Sequence, residues 1–336
     1  MSDIHAARAG EQPCAAIDAN PTYAAFAARS AGPDASIATV ESLPTLLNGR
    51  YRLERLLGLG GMSAVYCAED RVRARFERHV SRVAIKVMNE CHARYPDANA
   101  LLYKEFALNR LLHHPGIIRL HDFDLDSQSG RGFISMEYLQ GTPLDRMLVE
   151  HPQGLAWDLL QPIAVRVLEA VAHMHASNVV HGDLKPSNFM LEADGLRLFD
   201  FGLSESTHPQ VIDLPRLQRQ RIVAWTPRYA ALELVEGGVP SCASDIYSAA
   251  CMLYELATGN LPYRGCDARQ AQVQRLDKSI SRARNLPQST WRALHLAMAL
   301  DPHTRRIGAQ ELLNAFRSGI DRQWPGWIGR LVSPAK

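Results

Sequence analysis

The spacing of the apolar residues changes near Gly141. Before that point the chain contains short runs that alternate or are wholly apolar, and such runs predict β-strands. A helical pattern, with apolar residues three and four positions apart, occupies about residues 98–112 and is ended by His114-Pro115-Gly116. The strand-like runs lie at residues 51–57, 65–69 and 83–87, and two more follow the helix and end near Leu139.

After Gly141 the pattern is mostly helical. Residues 156–176 form one long amphipathic repeat, and residues 243–258 are strongly apolar, which is typical of a buried helix. Shorter helices are predicted at about residues 267–278, 289–300 and 309–318. The sequence therefore predicts an α+β protein in which a small strand-rich half precedes a larger helical half, with a hinge at residues 140–143.

Three segments lack a regular pattern. Residues 1–48 are rich in alanine and small polar residues and contain several prolines, so they bury too little apolar surface to offset the entropy of ordering them. We predict a disordered segment here, either a passive tail or a regulatory or docking arm, and a short tail at residues 321–336. The basic residues 71–82, between two predicted strands, are expected to form a solvated hairpin loop.

The composition is that of a globular protein with a sizeable core. The chain has 336 residues, 46% of them apolar, and a formal net charge of +2, so we expect neither nucleic acid nor a membrane as its main partner. Six cysteines are scattered without a Cys-x-x-Cys pair, which favours reduced thiols over disulfides. The first residues lack the pattern of a secretory signal, and no apolar stretch approaches about 20 residues. We therefore expect a soluble, cytoplasmic protein.

A glycine-rich segment, Gly58-Leu59-Gly60-Gly61, lies between two predicted strands. Glycines let a backbone approach a polyphosphate closely and direct its N–H groups toward the charge. The alternative is a plain turn, because glycine-rich hairpins are common. The position between two strands, rather than between a strand and a helix, argues against a dinucleotide-binding turn.

Lys86 ends the apolar strand Val83-Ala84-Ile85. A lysine in this position is commonly a surface residue, but its ammonium could also reach phosphates bound under the glycine-rich segment. Such a cation needs a carboxylate to hold it, and Glu105 on the predicted helix is the candidate. The neighbouring Lys104 is expected to face another side of that helix.

The segment His-Gly-Asp-Leu-Lys-Pro-Ser-Asn, residues 181–188, combines groups that fit one reaction. Asp183 could accept the proton of an attacking hydroxyl, and Lys185 could neutralise a phosphoryl group in transfer. Asn188 offers a neutral oxygen to a magnesium ion. A polar loop around Pro186 is the plain alternative, but it does not account for the three polar groups together.

Asp200-Phe201-Gly202 follows an apolar run twelve residues after Asn188. A carboxylate at the end of a strand is suited to bridge magnesium to the phosphates of a nucleotide. The triplet alone would also fit a simple turn. Its distance from residues 181–188, with a short hairpin between them, favours the metal-binding role.

In this order, the motifs resemble those of the eukaryotic-like (bacterial-type) serine/threonine protein kinase family. The resemblance covers roughly residues 51–318 and extends to Ala231-Leu232-Glu233, to Asp245-Ile246-Tyr247-Ser248 and to the segment that ends at Arg305. In the family the arginine of the last segment pairs with the glutamate of the first, which implies a buried structural ion pair between Glu233 and Arg305.

The resemblance implies a bilobal protein kinase domain over residues 49–320, with an N-lobe at about 49–139 and a C-lobe at about 140–320. It implies an enzyme that uses ATP and Mg²⁺ or Mn²⁺ to phosphorylate serine or threonine of protein substrates. Family members often dimerise through the small lobe, so a homodimer is a further expectation. The implied catalytic residues are Asp183, Lys185, Lys86 and Glu105.

The resemblance also implies a nucleotide site. Met136 takes the place of the gatekeeper, and Glu137 to Leu139 match the family's hinge, the segment whose backbone contacts adenine. Thr226 matches a threonine that helps to accept a serine or threonine substrate. Asn188 and Asp200 are the implied metal ligands. The full set of implied nucleotide-binding residues is Leu57, Gly58, Gly60, Gly61, Val65, Ala84, Lys86, Met136, Glu137, Leu139, Asn188 and Asp200.

Three positions depart from the family pattern. Ser63 replaces the third loop glycine, Leu232 replaces the proline of Ala-Pro-Glu, and Gly182 replaces the arginine before the catalytic aspartate. That arginine receives the activation-loop phosphate in the family. We therefore hypothesise that activity does not require phosphorylation of the serines and threonine in residues 204–207. The arginines of residues 216–221 could hold a phosphate or an acidic substrate, or could simply be solvated.

Two other functions remain open on the sequence. His-Gly-Asp followed by asparagine also resembles antibiotic and choline phosphotransferases, although these generally lack Asp-Phe-Gly and the segment from Thr226 to Glu233. The other reading is a pseudokinase that acts as an interaction scaffold. It predicts the loss of a catalytic residue, whereas this chain retains every one of them.

Overall fold

A computed structural model describes residues 45–59, 63–77, 81–88, 97–208, 214 and 226–317. The first part is a six-stranded antiparallel sheet with the strand order β1-β2-β3-β4-β6-β5. Its strands are β1 (Leu46–Leu47), β2 (Tyr51–Leu59), β3 (Ser63–Asp70), β4 (Arg82–Met88), β5 (Leu120–Leu125) and β6 (Gly132–Glu137).

Helix α1 (Ala98–Asn109) packs on one face of this sheet. Its apolar residues Leu102 and Phe106 contact Ile134 of β6, forming a small core cluster of their own. A second cluster lies between β2, β3, β4 and β6. The sheet therefore holds α1 by apolar contacts, while Lys104 and Glu105 on the same helix are also buried and need polar partners.

The rest of the described chain is mostly helical. The helices are α2 (Leu144–Glu150), α3 (Trp157–Ala176), α4 (Leu232–Val235), α5 (Cys242–Thr258), α6 (Ala268–Val273), α7 (Gln288–Ala297) and α8 (Ala309–Arg317). Short strands occupy the side nearest the sheet: β7 (Thr142–Pro143), β8 (Val179–Val180), β9 (Phe189–Glu192), β10 (Gly195–Leu198) and β11 (Glu205–Ser206). Together the two parts form the bilobal α+β arrangement that the sequence predicted.

Helix α5 is the centre of the larger lobe. Ser241 caps its first turn, because the Ser241 hydroxyl accepts a hydrogen bond from the Ser244 amide and the Ser244 side chain accepts one from the Ser241 amide. Gly259 ends the helix in a left-handed conformation, with φ of 72°. Nearly every side chain between these ends is buried, so α5 is a fixed support for the loops that rest on its first turn.

The structure refines several element boundaries. The helix expected at residues 98–112 ends at Asn109, and the helix expected at 267–278 is a short helix followed by a 3₁₀ turn at Leu276–Ser279. The basic insert connects the antiparallel strands β3 and β4, as expected for a hairpin loop, and it contains a 3₁₀ turn at Arg73–Arg75. Residues 1–44 of the segment predicted to be disordered lie outside the described residues, and β1 lies in the remainder.

Thr142–Pro143, in the predicted hinge, forms strand β7 and pairs with β9. The expected tail at residues 321–336 lies outside the described part of the chain. Of the helices that are described, none combines the length and the apolar character required to cross a bilayer.

Candidate active site

A cleft lies between the sheet and the helical lobe. Apolar side chains line most of it, and charged groups gather at one end. The lining residues are Gly58, Ser63, Val65, Ala84, Lys86, Glu105, Ile118, Leu120, Met136, Glu137, Leu139, Met190, Phe199, Asp200 and Phe201.

Lys86 joins two carboxylates at the charged end of the cleft. Its Nζ lies 2.6 and 2.8 Å from the two carboxylate oxygens of Glu105 and 2.7 Å from Oδ1 of Asp200. Burial acts to lower the pKa of Lys86, but the charges of Asp200 and Glu105 outweigh it and raise that pKa. Lys86 is therefore a permanent cation. It is also buried, whereas a lysine ending a strand is commonly a surface residue.

The two carboxylates differ in their surroundings. Burial raises the pKa of Glu105, and the Lys86 charge opposes this effect. Burial also disfavours the charged form of Asp200, but the charge and hydrogen bond of Lys86 outweigh it and lower the pKa of that carboxyl. About a third of the Asp200 side chain is exposed to the cleft, whereas Glu105 is buried. Asp200 is thus the ionised carboxylate that a ligand can reach.

Asp245, in the first turn of α5, holds the backbone of the loop at residues 181–188. One of its carboxylate oxygens accepts a hydrogen bond from the His181 amide at 2.8 Å, and the other accepts one from the Gly182 amide at 2.9 Å. Gly182 has φ of +79°, a left-handed conformation in which a residue with a side chain is strained. The His181 ring is fully buried against Phe201, which fits the scaffold role implied for it.

Asp183 and Lys185 form an ion pair within the loop at residues 181–188. Lys185 Nζ lies 2.6 Å from Asp183 Oδ2 and donates to the Thr226 hydroxyl at 3.1 Å. The Thr226 amide donates to the other Asp183 oxygen at 3.2 Å. Burial raises the pKa of Asp183 above its ordinary value, and the Lys185 charge opposes the rise. The loop and the segment that starts at Thr226 therefore meet at the candidate base.

The two polar atoms of the Asn188 side chain differ in their hydrogen bonding. Its amide nitrogen donates to the Asp183 carbonyl at 2.9 Å, while its Oδ1 atom is buried and has no hydrogen-bond partner among the described residues. A buried acceptor without a partner is costly, and a bound cation would satisfy it. The hard oxygen donors of Asn188 and Asp200 therefore fit a divalent metal such as Mg²⁺.

Most of the residues singled out in the sequence line this cleft, whereas Asp183, Lys185 and Asn188 lie in the loop at residues 181–188 and are not among the lining residues. Gly60 and Gly61 lie outside the described residues, and Leu57 belongs to the adjoining apolar core rather than to the cleft lining. Sequence reasoning missed four apolar lining residues, Ile118, Leu120, Met190 and Phe199. Their pattern in the sequence is that of ordinary core residues, so periodicity could not have identified them.

The expected ion pair away from the cleft is also present. Arg305 Nη1 lies 2.7 Å from Glu233 Oε1, and the Arg305 side chain is fully buried. The same guanidinium donates to the carbonyl oxygens of Ala243, Ala299 and Leu300. The pair joins the segment after Thr226 to the base of α5.

Comparisons with known proteins agree with this geometry. The chain is 35% identical over 248 residues to the DNA damage-responsive serine/threonine-protein kinase RqkA of Deinococcus radiodurans, covering 72% of this chain and 35% of that protein. It is 28% identical over 284 residues to serine/threonine-protein kinase PrkC of Bacillus subtilis, covering 82% and 41%. It is 32% identical over 285 residues to serine/threonine-protein kinase PkaA of Streptomyces coelicolor, covering 81% and 50%.

These relatives are longer proteins, and the matched segments span only about a third to a half of their length. The family comparison covers most of the present chain, since the Protein kinase domain family matches residues 51–316. The cleft, the Lys86–Glu105 pair and the loop at residues 181–188 all lie within those residues. The chain belongs to the protein kinase family, and its relatives are bacterial serine/threonine kinases.

Proposed function

We propose that this protein is an ATP-dependent kinase that phosphorylates serine or threonine in protein substrates. The observation that carries the proposal is the presence of two ion-paired groups, one lining the cleft and one in the loop at residues 181–188, which Asn188 connects to the cleft residue Phe199. Lys86, Glu105 and Asp200 form the first group, and Asp183 with Lys185 forms the second. The family relationship supports the proposal, since the named relatives are serine/threonine kinases.

The cleft offers a separate place to each part of ATP. The apolar walls suit an adenine ring, and the hinge from Glu137 to Leu139 borders them. Lys86 would bind the phosphates, and Asn188 with Asp200 would hold Mg²⁺. When bound, Mg²⁺ neutralises phosphate charge and aligns the terminal phosphate for transfer.

The chain's own groups then act on the acceptor. Oδ1 and Oδ2 of Asp183 are held by the Thr226 amide and by Lys185, so the carboxylate is oriented before a substrate binds. Asp183 would orient the substrate hydroxyl and accept its proton. Lys185 would stabilise the negative charge of the phosphoryl group in transfer. Glu105 keeps Lys86 in place and does not itself touch the reacting atoms.

We also propose that activity does not need phosphorylation of the segment after Asp-Phe-Gly. Gly182 has no side chain that could receive a phosphate. Ser204, one of the candidate acceptors, is buried and donates its hydroxyl to the His181 carbonyl at 3.1 Å. Ser204 therefore already supports the catalytic loop in its unmodified form. Activity that disappears on phosphatase treatment and returns on rephosphorylation would contradict this proposal.

The partners follow from the same site. Thr226 borders Asp183, and the segment that it begins would offer a surface for a protein substrate. The free cysteines of the described residues support a cytoplasmic location.

The first experiment measures phosphate transfer from γ-labelled ATP with Mg²⁺ to a generic basic protein. Lys86→Met and Asp183→Asn are compared with wild type, and Lys278→Met and Asp158→Asn, at exposed positions, are the matched controls. Loss of the base should lower the rate by about 10²–10⁴-fold, while the controls keep full activity. Mass spectrometry identifies the modified residues.

Three outcomes distinguish the alternatives. Transfer to serine or threonine that both site variants abolish supports the kinase proposal. Binding of ATP without transfer to any acceptor would support a scaffold. Transfer only to an aminoglycoside or choline, in a parallel panel, would support a small-molecule phosphotransferase.

A further inference from the structure

A second buried ion pair lies beside the Lys86–Glu105 pair, on the same helix. Lys104 of α1 is buried, and its Nζ lies 2.9 Å from Oε2 of Glu205. Lys104 and Glu105 are successive helical residues and therefore point about 100° apart. As a result, Glu105 faces the cleft and Lys104 faces the segment that follows Asp-Phe-Gly.

Glu205 lies in a strand that borders the catalytic loop. It belongs to β11, which pairs with β8, and its direct partner is Val180. The next residue after Val180 is His181, the first residue of the catalytic loop. The neighbouring Ser204 hydroxyl donates to the His181 carbonyl. One short strand thus touches both the helix that carries Glu105 and the loop that carries Asp183.

The same strand also follows the metal-binding aspartate closely. Asp200 contacts Lys86, and five residues later Glu205 contacts Lys104. Residues 200–205 are therefore tied to α1 directly by the Lys104–Glu205 pair and indirectly through Lys86 of β4, which binds both Asp200 and Glu105. Because Lys104 and Glu105 are adjacent on α1, a rotation of the helix that moves Glu105 away from Lys86 would also pull Lys104 away from Glu205.

We propose that Lys104 and Glu205 are positioning residues that lock α1 against the catalytic loop and do so in place of an activation-loop phosphate. This inference rests on the proposed kinase function. Gly182 supplies no arginine to receive a phosphate, and the required link between α1 and the segment is already formed by a carboxylate of the chain itself. Neither residue touches the substrate; both act through Glu105 and Asp183.

The test reverses one charge and then both. Lys104→Glu places two carboxylates against each other, which should release α1 and lower kcat by about 10- to 100-fold, the size expected when a catalytic group is misplaced by about 1 Å. The double variant Lys104→Glu/Glu205→Lys restores the attraction, and its kcat should return to within about threefold of wild type. A purely structural loss of packing would not be recovered by exchanging the two charges.

The matched control is an ion pair remote from the cleft. Arg317 lies 2.8 Å from Glu169, where α8 packs on α3. Arg317→Glu makes the same kind of charge reversal at a similar distance and should leave kcat unchanged. If the charge-exchanged protein does not fold, the neutral variants Lys104→Met and Glu205→Gln and the corresponding double variant are measured in its place. Their effects on kcat should be strongly non-additive.

A readout that does not need activity separates this inference from the proposed function. Hydrogen exchange at the amides of residues 98–109 should be faster in Lys104→Glu and return to the wild-type rate in the charge-exchanged protein. If wild type transfers no phosphate, the proposed function fails. The hydrogen-exchange rates alone then test whether the Lys104–Glu205 pair holds α1 in place. Unchanged kcat and exchange in Lys104→Glu, or additive effects of the two neutral variants, would overturn the inference.

Discussion

Gly182 offers a quantitative test of how the catalytic loop is held, through the substitution Gly182→Ala. The residue has φ of +79°, and a Cβ added there would lie 2.9 Å from the Leu203 carbonyl oxygen. Gly237 provides the matched control, because its φ is +89° and an added Cβ would meet nothing within 4 Å. Both substitutions place alanine in the left-handed region, but only Gly182→Ala also forces a contact.

The backbone conformation and the steric contact each lower the free energy of unfolding, and the two costs can be estimated separately. An alanine in the left-handed backbone region lowers the free energy of unfolding by about 1–2 kcal/mol, and this cost applies to both variants. The contact with a backbone carbonyl requires a local shift, which costs about another 1–3 kcal/mol. Because about 1 kcal/mol corresponds to a change of about 2–4 °C in Tm for a domain approaching this size, Gly182→Ala should melt at least about 2 °C below Gly237→Ala.

Thermal unfolding and phosphate transfer are measured on the same preparations. The Gly182 amide is bound by Asp245, and Asp183 is the next residue, so the shift that relieves the contact also moves the candidate base. Gly182→Ala should therefore lose at least about tenfold in kcat, while Gly237→Ala keeps it. Equal Tm and equal kcat in the two variants would refute the idea that Leu203 restricts this position.

Three further predictions concern other parts of the structure. Arg305→Met leaves Glu233 without its partner and should lower the free energy of unfolding by about 3–5 kcal/mol in chemical denaturation; an unchanged value would contradict a structural role. Burial opposes the charge on His175, but its hydrogen bond to Asp245 raises its pKa to about 9. The stabilisation that His175 provides is therefore complete below about pH 6.5 and declines as the pH rises through 9. Over this range the difference in free energy of unfolding between wild type and His175→Gln should shrink by up to about 3 kcal/mol in pH-dependent denaturation. A difference that does not change with pH would contradict this prediction. Asn188→Ala should raise the Mg²⁺ concentration needed for half-maximal transfer, and an unchanged Mg²⁺ titration would remove Asn188 from the metal site.

Much of the fold could be predicted because its elements depend on local patterns. The long helix from Trp157 to Ala176 and the buried helix α5 follow directly from apolar spacing. The loop at residues 181–188 was identifiable because its chemistry requires several polar types at fixed spacing. Boundaries were less accurate, since the end of α1 and the division of residues 267–279 depend on tertiary contacts.

Contacts between distant segments could not be predicted in the same way. Lys104 was expected only to face another side of the helix than Glu105, and nothing in the sequence pointed to Glu205, which lies 101 residues further along the chain. The two residues meet because β11 pairs with β8 and places Glu205 beside α1. Ile118 and Met190 line the cleft for a similar reason, since an apolar residue in the sequence does not show whether it faces the core or a ligand.

The contacts around the catalytic loop bear on how such a kinase could be controlled. Asp245 binds two amides of the loop, Ser204 supports the His181 carbonyl, and Lys104 binds Glu205. Each of these contacts uses groups that the folded chain already contains, so the free energy that orders the site comes from folding. A phosphate would add little to a loop that is already held at these points. Regulation by phosphorylation of this segment would therefore have to act by breaking existing contacts, and Ser204, which is buried and already bonded, is the position where a phosphate would break one.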